Sequence, residues 1–170
     1  MIIVQCTKKL AGELNAPFLS EKPQQANPLY CWHAHIFTYN RRKCVLVMNN
    51  STRYNFMMYG LVKSDFTHFG ELLVKHISEN MLADEIDQAL VNRYLDNVGE
   101  SSYAPTSDRS IVSQINEMVS VAQQIMEMNM AKTGDLGINK VNRFMNKYIF
   151  MKLPKLYSAE TMRDELLSLS

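Results

Sequence analysis

Two histidines, His33 and His35, stand one residue apart in the run Cys31-Trp32-His33-Ala34-His35-Ile36-Phe37-Thr38. On a β-strand, residues i and i+2 project from one face about 6.5–7 Å apart, so two imidazoles can share a metal ion. A catalytic zinc takes three protein ligands, and His68 and His76 are too far apart to form the i, i+4 pair of a helical zinc motif. No metal and no cofactor are therefore expected, and His33 and His35 are the only candidate ligands. A few residues on, Arg41-Arg42-Lys43 concentrates three cations after Asn40. Cations beside aromatic side chains, here Phe37 and Tyr39, are what single-stranded nucleic acid requires: charge neutralisation of phosphates and stacking of bases. The bland alternative is a solvated turn. The third cluster is Asp108-Arg109-Ser110, with Asn116 two helical turns further on. Ser107 or Asp108 caps a helix there, which places Arg109 in the first turn against the helix dipole at a cost of about 0.3–1 kcal/mol unless it is paired. Its partner is either an internal carboxylate or a bound anion held by Arg109, Ser110 and free backbone N–H groups, with Asn116 nearby.

Nucleophile chemistry finds little support. Cys31 and His33 share strand parity, but no third residue orients them. There is no G-x-S-x-G elbow, Walker loop, G-x-G-x-x-G or EF-hand. The carboxylates Asp84, Glu85 and Asp87 gather near a helix start, where the dipole favours them.

The elements that position these residues follow from hydrophobic period. Residues 2–6 read as a strand. Lys8-Lys9 follows this apolar stretch rather than preceding it, the wrong order for a secretory leader. Thr7 is expected to cap a helix over 8–14, and 15–29 reads as a loop with Pro17, Pro23 and Pro28. Alternation over 31–38 puts Trp32, Ala34 and Ile36 on one face and His33, His35, Phe37 and Tyr39 on the other. The segment 43–49 is nearly all apolar, as a central strand covered on both sides would be, and 54–62 completes a second hairpin. From Ser64 the period becomes helical: Phe66, Phe69, Leu73, His76, Ile77 and Met81 form one face. A helix over 84–95, a loop over 96–107, a long helix over 109–130, another over 139–148 and a last one capped by Ser158 follow. Strands first and helices after predict an α+β fold. It is a small antiparallel sheet, the N-terminal strand plus the 31–62 hairpins, packed against a C-terminal helical layer. The chain reads as a single domain over 1–170, mainly strands in 1–63 and mainly helices in 64–170.

The 170 residues carry 18 Lys+Arg and 17 Asp+Glu, a net charge of +1. That excludes a uniformly basic nucleic-acid coat, but the distribution is uneven: +6 over 1–63, −8 over 64–136 and +3 over 137–170. Either the acidic helices neutralise the basic sheet, or a polarised surface attracts an oppositely charged partner. No apolar run reaches the roughly 18–20 residues that cross a membrane. Three cysteines without C-x-x-C spacing fit buried thiols in a reducing cytoplasm. Twelve methionines read chiefly as core filler.

Trp32-His33-Ala34-His35-Ile36, Arg41-Arg42-Lys43-Cys44-Val45-Leu46-Val47 and Asn49 resemble the central hairpin of an uncharacterised bacterial domain family, one of the domains of unknown function, found as free-standing cytoplasmic proteins. Val4-Gln5-Cys6-Thr7-Lys8-Lys9-Leu10 fits its opening, and Thr106-Ser107-Asp108-Arg109-Ser110 with Asn116-Glu117 is similar to the start of its long helix. His33 and His35 are not part of the pattern. The resemblance implies a single-domain bacterial protein without an established activity. The expected function is accordingly non-enzymatic: association with a protein partner or with a second copy as a homodimer, through the polarised charge. The alternatives are RNA binding or cleavage by Arg41, Arg42, Lys43 and Arg109, with His33 or His35 as acid–base groups, and a small-anion site at Arg109.

Overall fold

A computed structural model describes residues 1–148 and 157–169 of the chain. Five strands form one sheet: β1 (Ile2–Cys6), β2 (Cys31–Tyr39), β3 (Arg42–Asn49), β4 (Asn55–Leu61) and β5 (Ser101–Pro105), in the order β4-β3-β2-β1-β5. Around it run α1 (Lys8–Ala11), α2 (Lys63–Thr67), α3 (Phe69–Ala83), α4 (Gln88–Asp96), α5 (Arg109–Thr133), α6 (Ile138–Met145) and α7 (Ser158–Leu167). The fold is α+β, as the order of periods predicts.

The sheet is mixed rather than antiparallel. The two hairpins β2–β3 and β3–β4 pair antiparallel, but β1 pairs parallel with both β2 and β5. The physical reason is the length of chain between β1 and β2. Residues 7–30 suffice to carry the chain back to its starting end, the crossover that a parallel pair requires. β5 corrects a second expectation, since it lies in a stretch that reads as loop. It is short, opens with Ser101-Ser102 and ends at Pro105, and Phe18 lies against its outer side in a parallel bridge to Tyr103. Two caps also differ. The Thr7 hydroxyl bonds His35 Nδ1 at 2.9 Å instead of capping the four-residue α1. Ser158 is the first residue of α7, with Tyr157 before it, and its hydroxyl donates to Asn146 Oδ1 at 2.9 Å.

Strand parity sorts the core. One face carries Trp32, Ala34, Ile36, Phe56 and Met58 under α3, α4 and α7. The other carries Phe37, Leu46, Met48 and Met57 under α5 and α6. Covered on both sides, β3 is buried from Cys44 through Asn49. Eight of the eleven methionines among the described residues are buried, which agrees with their use as filler.

β4 is the outer strand at one end of this order, and among the described residues no strand pairs with its outward amides. Two asparagines on or just after α6, one turn apart, take that place. Met57 N–H donates to Asn142 Oδ1 at 2.8 Å, and Asn142 Nδ2 returns a bond to Met57 O at 3.2 Å. Asn55 N–H donates to Asn146 Oδ1 at 2.8 Å, and Asn146 Nδ2 returns one to Asn55 O at 2.7 Å. A primary amide offers the same donor and acceptor as a peptide group, so each asparagine closes one residue of the edge. Asn142→Leu should therefore strand two buried backbone groups, at about 1–3 kcal/mol each. Asn146→Leu should cost more, because Asn146 also serves Ser158 and Asp84. Urea unfolding midpoints check this, and an unshifted midpoint for Asn142→Leu refutes the edge role.

Candidate functional site

Polar side chains from four segments meet where β1 and β5 end and α5 begins. Gln5 and His33 are fully buried. Ser107 N–H donates to His33 Nε2 at 3.3 Å, so that nitrogen is an acceptor. The ring proton then sits on Nδ1, which donates to Asn50 Oδ1 at 2.8 Å. Asn50 Nδ2 donates to Gln5 Oε1 at 2.8 Å, and Gln5 Nε2 donates to Ser107 Oγ at 2.7 Å and to Pro105 O at 3.1 Å. The side chains of Gln5, Asn50 and His33 and both the hydroxyl and the backbone N–H of Ser107 close a ring of hydrogen bonds that accepts only neutral imidazole. Arg53 lies beside it, bonded through Nε to Gln114 Oε1 at 2.6 Å and through Nη1 to Asn50 O. Burial lowers the His33 pKa, opposed by the Asn50 bond and the Asp108 charge. His33 is thus occupied at both nitrogens, and His35 is held by Thr7. Among the described residues no group of three or more His, Cys, Asp or Glu is placed to hold a metal ion.

In front of this ring lies a shallow hollow of about 500 Å³, lined by Thr106, Ser107, Asp108, Arg109, Ser113 and Asn116 together with Val112. Arg109 and Asn116 share it; Ser110 is exposed and does not line it. Arg109 makes no ion pair among the described residues. Yet Asp108 Oδ1 already accepts from Ser110 N–H at 2.8 Å and Ile111 N–H at 3.2 Å. The donors that an anion needs are filled by the chain's own carboxylate, whose charge opposes a second one.

Arg41, Arg42 and Lys43 lie at the other end of α5. Tyr39, at the end of β2, is close enough to Glu127 for that charge to raise its hydroxyl pKa further, after burial. The helical rise puts Arg109 about 27 Å from Glu127. The two cationic clusters therefore do not converge. At the hairpin end, Arg41, Arg42, Lys43 and Lys63 surround a hollow of about 510 Å³ whose lining includes Leu61, Val62 and Phe66. Lys43 pairs with Glu13 at 3.0 Å and lies 5.8 Å from the Phe66 ring centroid. A Cβ at Gly60 would come within 3.2 Å of Arg42 Nη2, so the missing side chain lets the guanidinium approach the backbone. Asn40 and Arg41 both have positive φ, 51° and 61°, as the tightest hairpin turn requires. Asparagine tolerates this; arginine pays about 1–2 kcal/mol where glycine would not. Phe37 is buried, leaving half-exposed Tyr39 as the stacking surface that the nucleic-acid alternative needs.

Sequence reasoning missed a second polar centre. The Asp84 side chain, 2% exposed, accepts from Arg143 Nε at 2.7 Å, from Asn146 Nδ2 at 3.4 Å and from the Tyr54 hydroxyl. Burial raises the Asp84 carboxyl, and these donors pull it back. Arg143 continues to Asn80 Oδ1 at 2.6 Å. The centre ties the α3–α4 turn to β4 and α6. Asn142 and Asn146, four apart on and just after the amphipathic α6, are its visible signal. For the His33 ring the signal was Gln5, the one polar residue of β1.

A sequence-family profile described as a domain of unknown function, DUF6933, matches residues 3–159. This range contains every residue that carries the resemblance noted in the sequence. No curated protein and no solved structure matches the chain.

The ring makes stability depend on pH with a definite sign. His33 binds its proton less readily folded than at the ordinary imidazole value of 6.5. Its contribution is present above that value and is lost as the pH falls through the folded value, where the unfolded chain takes the proton first. His35 and His76, also lowered by burial, add in the same direction. Urea unfolding at about pH 8 and about pH 5 should show the loss. His33→Gln, whose side-chain oxygen can still accept from Ser107, should flatten the difference; an equally steep variant removes His33 from the account.

Proposed function

The chain belongs to the DUF6933 family, a domain of unknown function, and we propose that it acts by association, presenting the basic hairpin end to an acidic protein surface. The observation that carries this reading is the charge left unneutralised. Among the described residues no ion pair joins a cation of 1–63 to a carboxylate of 64–136, although Asp108 acts on Arg53 and Glu127 on Tyr39 at longer range. Lys43 pairs within the first third, Lys75 and His76 pair within the middle, and Arg143 of the tail pairs with Asp84. The acidic helices do not discharge the basic hairpin by direct contact, so its cations are available to a partner. Arginine at a left-handed turn position supports the same reading, since strain kept at an exposed tip is a pointer to use.

The remaining chemistry-bearing groups are occupied. The three cysteines are buried free thiols, and burial pushes the Cys6 thiol up to about 12. A cytoplasmic, reducing compartment suits three unpaired thiols, and no helix among the described residues is long and apolar enough to cross a membrane. A small-anion role for Arg109, Ser110 and Asn116 is disfavoured by the Asp108 cap.

Fluorescence anisotropy tests the reading, with a labelled peptide of alternating Glu and Leu and a single-stranded RNA of matching charge. The peptide should bind at low salt and weaken steeply as salt rises. Arg41→Glu with Arg42→Glu should reduce its affinity about tenfold or more. Tighter binding of the RNA, with a salt slope flattened by the same reversals, would replace this reading by nucleic-acid recognition. No binding of either ends both.

A further inference from the structure

We infer that the partner is a second copy of this chain, docked two-fold about α2 so that the hairpin end of each copy covers an acidic groove on the other. The inference rests on the association reading above and gives it a partner. The groove lies between the start of α3, the end of α4 and the start of β5, with a volume of about 830 Å³. Its lining includes the apolar side chains of Val74, Leu95 and Val98 and the carboxylates of Glu71 and Glu100. Its wall is rigid where α3 meets β5: a Cβ at Gly70 would stand 2.6 Å from Ser101 Oγ.

The hairpin end has the complementary character. Val62 is 55% exposed between Leu61 and Lys63; its N–H donates to Asp65 Oδ2 at 2.8 Å, and its side chain borders the hollow that Arg41, Arg42, Lys43 and Lys63 surround. Arg41, Arg42 and Lys63 make no ion pair among the described residues, and neither do Glu71 and Glu100. Lys75 and His68 also border the groove, and a Cβ at Gly99 would stand 3.1 Å from Met1 N; Lys75 pairs with Glu79 at 3.8 Å, and Glu71 and Glu100 are the carboxylates left to a partner. Seated in the groove, Val62 would leave water against an apolar wall while Lys63 and Arg42 meet Glu71 and Glu100.

Placement selects a second copy over an unrelated acidic protein. The basic hollow and the acidic groove share α2: Lys63 borders the first and Thr67 the second. At the helical rise those residues are about 6 Å apart along the axis. Two oppositely charged patches side by side satisfy a two-fold interface, in which residue i meets j and j meets i. Turned about an axis near α2, each copy supplies both halves of the contact. The patches are small and charged, so the dimer is salt-sensitive and concentration-dependent.

Sedimentation velocity of the full chain at about 50 mM and about 500 mM salt tests this. A dimer at low salt and a monomer at high salt are expected. Lys63→Glu and Glu71→Lys, both at exposed positions, should each weaken self-association about tenfold or more. Mixing the two variants should restore a dimer, because every contact again joins opposite charges, and so should the double variant. Single reversals that leave the dimer intact, or a mixture that stays monomeric, overturn the inference. A native chain that stays monomeric at low salt yet binds the Glu/Leu peptide defeats the second copy alone; one that does neither defeats the association reading as well.

Discussion

A β-strand at the edge of a sheet must dispose of its outward N–H and C=O groups, and in this protein the answer comes from two side chains. Asn142 and Asn146 meet Met57 and Asn55 as a sixth strand would. Much of the helical arrangement hangs on that choice. With α6 fixed beside β4, Arg143 between the two asparagines reaches Asp84, and Asp84 takes the Tyr54 hydroxyl. The α3–α4 turn is thereby anchored to the sheet. α6 also continues the cover that α5 lays on that face, with Val141 and Met145 joining Ile115, Met118 and Met126. An unpaired edge would be a template for another chain's strand; the same closure removes that hazard and orders the helices.

The opposite side of the sheet solves a related problem differently. β1 is an inner strand buried along its length, yet it carries Gln5. A buried amide without partners costs more than it returns; Asn50 and Ser107 in the ring and the Pro105 carbonyl beside it supply its partners. The ring also ties β1, β2, the turn before β4 and the approach to α5 at a single point. The ring fixes where α5 starts, and the α5 start fixes where Arg109 stands. The residues that look most chemical in sequence are thus spent on holding the frame, while the unspent charge lies about a helix-length away.

This explains what could be read from the sequence. The strands over residues 2–6, 31–39, 42–49 and 55–61 show as alternation or as unbroken apolar runs because their surroundings repeat with the pleat. The faces of Trp32 and Phe37 follow from parity alone. β5 does not show, because Ser101-Ser102 at a short outer strand has no apolar period to display. The direction of β1 is hidden because chain length permits either hand of pairing once a crossover fits. The ring is hidden for a stronger reason: its bonds join positions 45, 74 and 102 apart, and no local pattern encodes such meetings. His33 and His35 look like a metal pair in sequence because parity is legible and partners are not.

Charge segregation is largely kept by the fold: among the described residues no ion pair joins a cation of 1–63 to a carboxylate of 64–136. A chain of net charge +1 has little to gain in solubility from concentrating cations in its first third and carboxylates in its middle. If neutralisation were the purpose, the fold would bring the two together, as it does for Arg143 and Asp84, where a buried pair closes a structural gap. Instead the hairpin keeps an arginine in a left-handed turn and lays another across Gly60. Glycine at position 41 would relieve the first; Gly60, itself at φ +73°, leaves the space that the second fills. The first costs local stability, and both place positive charge in solvent near an exposed Val62. Surface charge that is expensive to hold and left unpaired within the chain is best accounted for by a contact the isolated chain does not contain.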